Sequence, residues 1–128
     1  MKLLLDTCAF LWLILGAEAL TDRAKDLFAD PDNEVFLSVV SAWEIAVKHA
    51  LGRLALPEEP RLYVPEQRER HGIQSLPLDE QSALQVSALP GIHGDPFDRM
   101  LISQALINGL TILSPDELIR KYPVRVLW

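Results

Sequence analysis

The chain has 128 residues, 49% of them hydrophobic and 23% charged, a balance that suits one globular domain with its own core and excludes a disordered chain. Its single cysteine, Cys8, excludes an internal disulfide framework and a cysteine-rich zinc site, and points to a reducing, intracellular setting. A net charge of −6 excludes a protein that coats nucleic acid through an overall basic surface; action on nucleic acid at this charge requires divalent metal to offset part of the repulsion, and a basic protein partner would find the surface attractive.

Met1 to Leu5 is apolar apart from Lys2 and reads as a strand covered on both faces, followed by a helix from Thr7 to Leu15. The run MKLLLDTCAFLWLIL has the outline of a leader peptide, but Asp6 interrupts it and no small-residue cleavage pattern follows. Ala9 to Leu15 is also too short to span a bilayer, so the expectation is a buried strand and a buried helix in a soluble cytoplasmic protein. Thr21 caps a helix running to about Ala29, Asp30-Pro31-Asp32-Asn33 forms a turn, and Glu34 to Leu37 is a second short strand. Ser38 caps a helix from Val39 to about Leu51, stopped at Gly52. Between Arg53 and Gln74 the prolines at 57, 60 and 65 break the pattern and leave room for a short charged helix before Gly72. Ser75 to Leu78 then reads as a strand edge, Asp79 to about Ser87 as a helix, and Leu89 to Gly94 as a loop. Phe97 to Asn108 is a helix ended by Gly109, Leu110 to Leu113 a strand, Pro115 to Lys121 a short helix, and Val124 to Leu127 a final strand.

Alternating strands and helices predict an α/β fold, a three-layer sandwich with a central, mainly parallel sheet flanked by helices. With no repeat, low-complexity tract or linker, residues 1–128 are expected to form a single domain. Right-handed crossovers place the carboxyl ends of parallel strands along one edge, where such folds bind ligands.

Four acids bear on that edge, and each also has an explanation without function. Asp6, after the first strand, suits a helix N-cap. Glu44 pairs by spacing with Lys48 and stands three residues after Ser41, but it shares an inward stripe with Val40, Val47 and Leu51, where a carboxylate is costly unless its charge is compensated. In His93-Gly-Asp-Pro-Phe-Asp98, Asp95 is an N-cap, Pro96 takes the first helical position, and Asp98 favours the helix dipole. Asp116 follows another strand, where Ser114 and Pro115 already open the next helix, so a solvated first-turn acid is its plain explanation. Jointly the four are harder to dismiss. Carboxylates within ~4–6 Å raise one another's pKa values, and magnesium or manganese (Mg2+ or Mn2+), hard cations that take oxygen ligands, relieve that conflict.

The segments Leu3-Leu-Leu-Asp-Thr7, Ser38-Val-Val-Ser-Ala-Trp-Glu-Ile-Ala-Val-Lys48, Asp95-Pro-Phe-Asp-Arg-Met-Leu-Ile-Ser-Gln-Ala105 and Thr111-Ile-Leu-Ser-Pro-Asp116, with the closing Tyr122-Pro-Val and Leu127-Trp128, occur in that order. Together they resemble PIN domains of the VapC toxin type, over nearly the whole chain. The Trp-Glu-Ile and Asp-Pro-Phe-Asp-Arg blocks carry most of the specificity. The resemblance implies an acidic, metal-binding catalytic centre at Asp6, Glu44, Asp98 and Asp116, with Asp95, Thr7, Ser114 and Arg99 as secondary candidates. It further implies a magnesium- or manganese-dependent endoribonuclease acting on RNA, a homodimer, and inhibition by a small cognate antitoxin protein. One departure is Asp-Thr-Cys at the first motif, where close relatives commonly carry His after Thr; Cys8 reads as a small packing residue, and the change bears on substrate preference rather than on the acids.

Other readings use the same residues differently. A PIN-like module that binds RNA or protein without cutting would normally have lost one of the acids, and an RNA-processing nuclease need not be a toxin. A phosphatase working through an aspartyl phosphate wants a second Asp two positions after the first, where Cys8 stands. His49, His71 and His93 lack the spacing of a zinc site and read as surface or loop residues. Trp12, Trp43 and Trp128 read as core or dimer-interface residues, and Arg61, Arg68, Arg70 and His71 as a solvated helix face rather than a phosphate-contact surface.

Overall fold

Strands and helices alternate through the computed structural model, which describes residues 1–128: β1 (Lys2–Leu5), α1 (Thr7–Leu15), α2 (Asp22–Ala29), β2 (Glu34–Ser38), α3 (Val39–Ala50), α4 (Pro60–Arg70), β3 (Gln74–Leu76), α5 (Glu80–Gln85), α6 (Pro96–Asn108), β4 (Thr111–Leu113) and β5 (Val126–Leu127). The strands form one sheet in the order β3-β2-β1-β4-β5, with every neighbouring pair parallel. The expected mainly parallel sheet is therefore wholly parallel.

Period-two alternation along β1 builds both layers of the core. Leu3 and Leu5 face one side with Val35, Leu37 and Leu113, where α1, α2, α3 and α4 supply Phe10, Ala24, Ile45 and Val64. Leu4 faces the other side with Ile112, against Leu101, Ile102 and Ala105 of α6. Because Leu3, Leu4 and Leu5 are all fully buried, the strand reads as an unbroken apolar run. No helix is long and apolar enough to cross a membrane.

Four local expectations are corrected. Pro60 opens α4, where its missing N–H is no loss, but Pro65 lies inside the helix instead of ending it. Buried Tyr63, Val64 and Gln67 hold that helix against the core on either side of Pro65, so packing overrides the local preference. The helix expected over Pro115 to Lys121 is reduced to a 3-10 turn at Ile119–Lys121. Ser114 Oγ accepts from the Asp116 N–H at 3.0 Å and Asp116 Oδ1 from the Leu118 N–H at 2.8 Å, and these short-range bonds compete with a helical turn. The last strand is shorter than expected: Val124 donates its N–H back to Tyr122 O at 2.8 Å, and pairing is confined to Val126–Leu127. The segment after Asp79 likewise leaves the α-helix at Gln85 and closes with a 3-10 turn, Val86–Ala88.

Candidate active site

From β1 the chain builds outward through β2 to β3, whereas β4 and β5 lie on the opposite side of β1. The carboxyl ends of β1 and β4 thus flank the point where strand order reverses, the place at which open α/β sheets form a ligand crevice. Asp6 and Ser114 are the first residues past these two strands, and the Asp6 N–H donates to Leu113 O at 3.2 Å.

Asp6 fills two roles at once. Its Oδ1 accepts from the Ala9 N–H at 2.7 Å and caps α1, while Oδ2 accepts from Ser114 Oγ at 2.5 Å. The side chain is held between two elements, and the residue is only 4% exposed. Burial pushes its carboxyl up to about 6, against the lowering effect of the Ser114 and Ala9 hydrogen bonds, with the charges of Asp116 and Glu44 adding to the rise.

Glu44, also 4% exposed, stands on the inner side of α3. Thr7 Oγ1 donates to its Oε1 at 2.7 Å, and Lys48 pairs with its Oε2. The i,i+4 pairing and the inward placement of Glu44 are thus both real, but the expected stripe holds only in part: Val40 is buried, whereas Leu51 is 60% exposed. The hydrogen bond to Glu44, despite partial burial, holds the Lys48 ammonium pKa above its usual value.

Asp95 caps α6, its Oδ1 accepting from the N–H groups of Phe97 at 2.8 Å and Asp98 at 3.3 Å. Asp98 is left free to turn toward the crevice. Burial, then the charges of Asp95, Asp6 and Glu44, push its carboxyl up to about 7, with His93 acting in the opposite sense. Asp116 shows the reverse. Burial opposes its ionisation, but hydrogen bonds from His93 and the Leu118 N–H outweigh that and hold it below the usual carboxylate range. Through Oδ1 Asp116 also closes a local turn on the Leu118 N–H, ahead of a 3-10 turn that carries no side-chain cap.

Asp6, Glu44, Asp98 and Asp116 all line one cavity of about 390 Å³, joined by Asp95, Thr7, Cys8 and Lys48. The donor set is hard oxygen, Asp6 and Asp98 are driven toward neutrality by burial and by neighbouring acids, and Lys48 is the one cationic side chain in the lining. A divalent cation fits that imbalance: it replaces the missing positive charge and takes carboxylate oxygens as ligands. The Cys8 thiol is pushed up to about 11, by burial first and by Asp6 and Asp98 next, which makes it unreactive and suits a packing role.

Arg99 does not reach the cavity. Its guanidinium donates to Pro90 O at 2.8 Å, Val86 O at 3.1 Å and Tyr122 Oη at 3.1 Å. Two residues of the site were not singled out from the sequence. By spacing, Lys48 stands out only as a partner for Glu44. His93, expected as a surface or loop residue, is in a loop, but its side chain is only 11% exposed, with Nε2 2.9 Å from Asp116 Oδ2 and 3.1 Å from Asp98 Oδ2. Its position two residues ahead of the Asp95 cap was the available signal, since a residue there lies beside whatever the first turn of α6 presents. Elsewhere, Trp12 packs on Trp128 with centroids 5.9 Å apart, while Trp43 is 62% exposed and meets Phe97 edge-on at 5.0 Å, so Trp43 is not a core residue. Arg61 and Arg70 pair with Glu59 and Glu66 on the outer surface of α4.

A sheet whose strand order reverses beside clustered carboxylates defines a class of acidic-centre α/β domain, and the comparisons with known proteins give it a family. The PIN domain family matches residues 3–124, and the chain belongs to it. Among characterised relatives, "Ribonuclease VapC16" of Mycobacterium tuberculosis is 38% identical over 65 residues, which is 51% of this chain and 45% of that protein, so the match spans less than half of the relative's length. The fold is shared with VapBC2 from Rickettsia felis, whose structure was solved bound to a promoter DNA fragment (TM-score 0.74, 12% identity, covering 99% of this chain and 98% of the other). It is also shared with FitAcB from Neisseria gonorrhoeae (TM-score 0.63, 20% identity, covering 98% and 96%).

Proposed function

We propose that this protein is a magnesium- or manganese-dependent endoribonuclease and the toxin of a type II toxin–antitoxin pair. The observation that carries the reading is the convergence of Asp6, Glu44, Asp98 and Asp116 on one cavity at the reversal point of the sheet, in a chain of the PIN family. The ribonuclease name of the M. tuberculosis relative supports RNA as substrate, and the toxin–antitoxin complex from Klebsiella pneumoniae, with the same fold, supports a small antitoxin partner. A homodimer and a cytoplasmic location belong to the same reading.

Asp6, Asp98 and Asp116 would hold the cation, and Glu44 would ligate it or orient a water. The chemistry such an ion supplies when bound is activation of water and neutralisation of charge on the scissile phosphodiester. The protein's own part is positioning. Ser114 fixes one oxygen of Asp6 and Thr7 one oxygen of Glu44, so both acids enter the cavity in a set orientation. Lys48 pairs with Glu44 and adds positive potential on the path of an anionic substrate.

The test is cleavage of a mixed RNA pool by purified, partner-free protein with magnesium or manganese, beside a chelator control and Asp98→Asn. Cleavage that requires both the metal and Asp98 supports the nuclease. Cleavage that survives both controls refutes it, and a folded, metal-binding protein that cuts no RNA redirects the reading to a binding module.

A further inference from the structure

His93 meets the acidic centre through its Nε2 edge, and its other contacts fix how the ring is protonated. The Asp95 N–H donates to Nδ1 at 3.1 Å. A ring nitrogen that accepts carries no proton, so the ring proton sits on Nε2, facing Asp116 Oδ2 at 2.9 Å and Asp98 Oδ2 at 3.1 Å. The backbone beside the ring is held as firmly. The His93 N–H donates to Tyr122 Oη at 2.7 Å, and Arg99 donates to the same oxygen at 3.1 Å. Arg99 also binds Val86 O and Pro90 O, tying together the segment that carries His93 into the crevice.

His93, Asp98 and Asp116 present donor atoms within 4.8 Å of one another, a spacing that by itself also suits a shared cation with the imidazole as ligand. The hydrogen bond to Nδ1 argues against that role. Ligation by Nε2 needs its lone pair, which puts the proton on Nδ1, where the Asp95 N–H already points. Two donors would then face each other, and a backbone N–H would lose its acceptor.

We propose that His93 is a positioning residue of the metal centre: a fixed Nε2–H donor, set by the Asp95 N–H, Tyr122 and Arg99, that holds the Asp98 and Asp116 carboxylates in ligating orientation without itself binding the ion. The proposal rests on the metal-dependent reading above. The Nε2 edge hydrogen-bonds Asp116 Oδ2 and lies 3.1 Å from Asp98 Oδ2, so one ring edge faces both carboxylates and opposes the repulsion that would drive oxygens of like charge apart. Partners of this kind around a metal site are worth roughly 10- to 100-fold in metal affinity.

Long-range proton–nitrogen correlation NMR of the metal-free protein reads the ring directly. A proton on Nε2 is expected, and a ring protonated on Nδ1 with Nε2 bare overturns the proposal. Calorimetric titration with Mn2+ then compares the wild type with His93→Leu and His93→Gln, each checked for native fold by its amide spectrum. His93→Leu is expected to bind about tenfold more weakly or worse, and His93→Gln, whose side-chain amide N–H reaches toward the Nε2 position, to recover much of the loss. Equal affinity in the wild type and His93→Leu overturns the role of His93 alone, whereas no Mn2+ binding by the wild type overturns the metal-dependent reading and this role with it. Should His93→Leu fail to fold, pulsed EPR of Mn2+-loaded wild type decides: absence of the coupling given by a directly ligated ring nitrogen is expected, and its presence makes His93 a ligand and overturns the proposal.

Discussion

The outer surface of α4 and the crevice between β1 and β4 are both dense in charge, yet they handle it in opposite ways. On α4 the signs alternate. Arg61 Nε lies 2.7 Å from Glu59 Oε2 and Arg70 Nη2 3.0 Å from Glu66 Oε1, all of them substantially exposed, so water and neighbour share the work. In the crevice Asp6, Glu44, Asp95, Asp98 and Asp116 line a single cavity with only Lys48 against them, and Asp6 and Asp98 are pushed up to about 6 and about 7. Exposed pairs of alternating sign are a solution to solubility, whereas buried charges of one sign are unresolved until something binds. That contrast, rather than the number of charges, separates a surface from a site.

The largest effect that tests this contrast is Asp98→Asn. RNA cleavage should fall by at least roughly 100-fold, more than the loss typical of residues that only support a metal ligand, while the melting temperature of the metal-free protein rises because one repelling carboxylate is gone. A variant that cuts RNA normally, or melts lower, breaks the comparison.

Next comes the response to pH. Metal ligation needs ionised carboxylates, so metal affinity should climb as pH rises through about 6 and about 7, the positions of Asp6 and Asp98, and then level off. Below those values each carboxylate that must lose its proton weakens binding by up to about tenfold per pH unit. Stability of the metal-free protein runs the other way. Both carboxyls are raised above their ordinary 3.8, so the stability they contribute is complete below 3.8 and is lost as pH rises through about 6 and about 7. Calorimetric titrations and melting curves over that window check both slopes, and a metal affinity that is flat across it would count against the acids as ligands.

Smaller effects sharpen the comparison. Ser114→Ala removes the donor to Asp6 Oδ2 and should cost about 1–3 kcal/mol, read as a lower urea midpoint. It should also raise the Asp6 carboxyl further and move the rise in metal affinity to higher pH, because that hydrogen bond lowers the Asp6 value. Smallest of all, Arg70→Ala or Glu66→Ala on α4 should change stability by no more than about 0.5 kcal/mol and leave metal binding untouched.

Much of the fold was legible because it rests on local rules. The apolar run of β1, the Asp6, Thr21, Ser38 and Asp95 caps, and the left-handed glycines at 16 and 109 that end α1 and α6 mark their elements in the chain itself. The rules failed where distant atoms intervened. Pro65 continues α4 because its neighbours are buried against the core, and the segment after Pro115 forgoes an α-helix because Ser114 and Asp116 divert its N–H groups.

The candidate site divides in the same way. The four acids and their order, the cap chemistry of Asp6 and Asp95, and the inward stripe of Glu44 are properties of the chain alone, since they depend on residue type and on spacing along a strand or a helix. Which oxygen of Asp6 remains after capping, which hydroxyl fixes it, that Arg99 turns away to clamp a loop, and that His93 stands between Asp98 and Asp116 were decided by tertiary structure. The reason is physical. Caps and periodic faces are set by atoms a few residues apart, but electrostatic coupling and hydrogen bonds in the crevice join Asp6 to Ser114 and His93 to Asp116, pairs that only the assembled parallel sheet brings within reach.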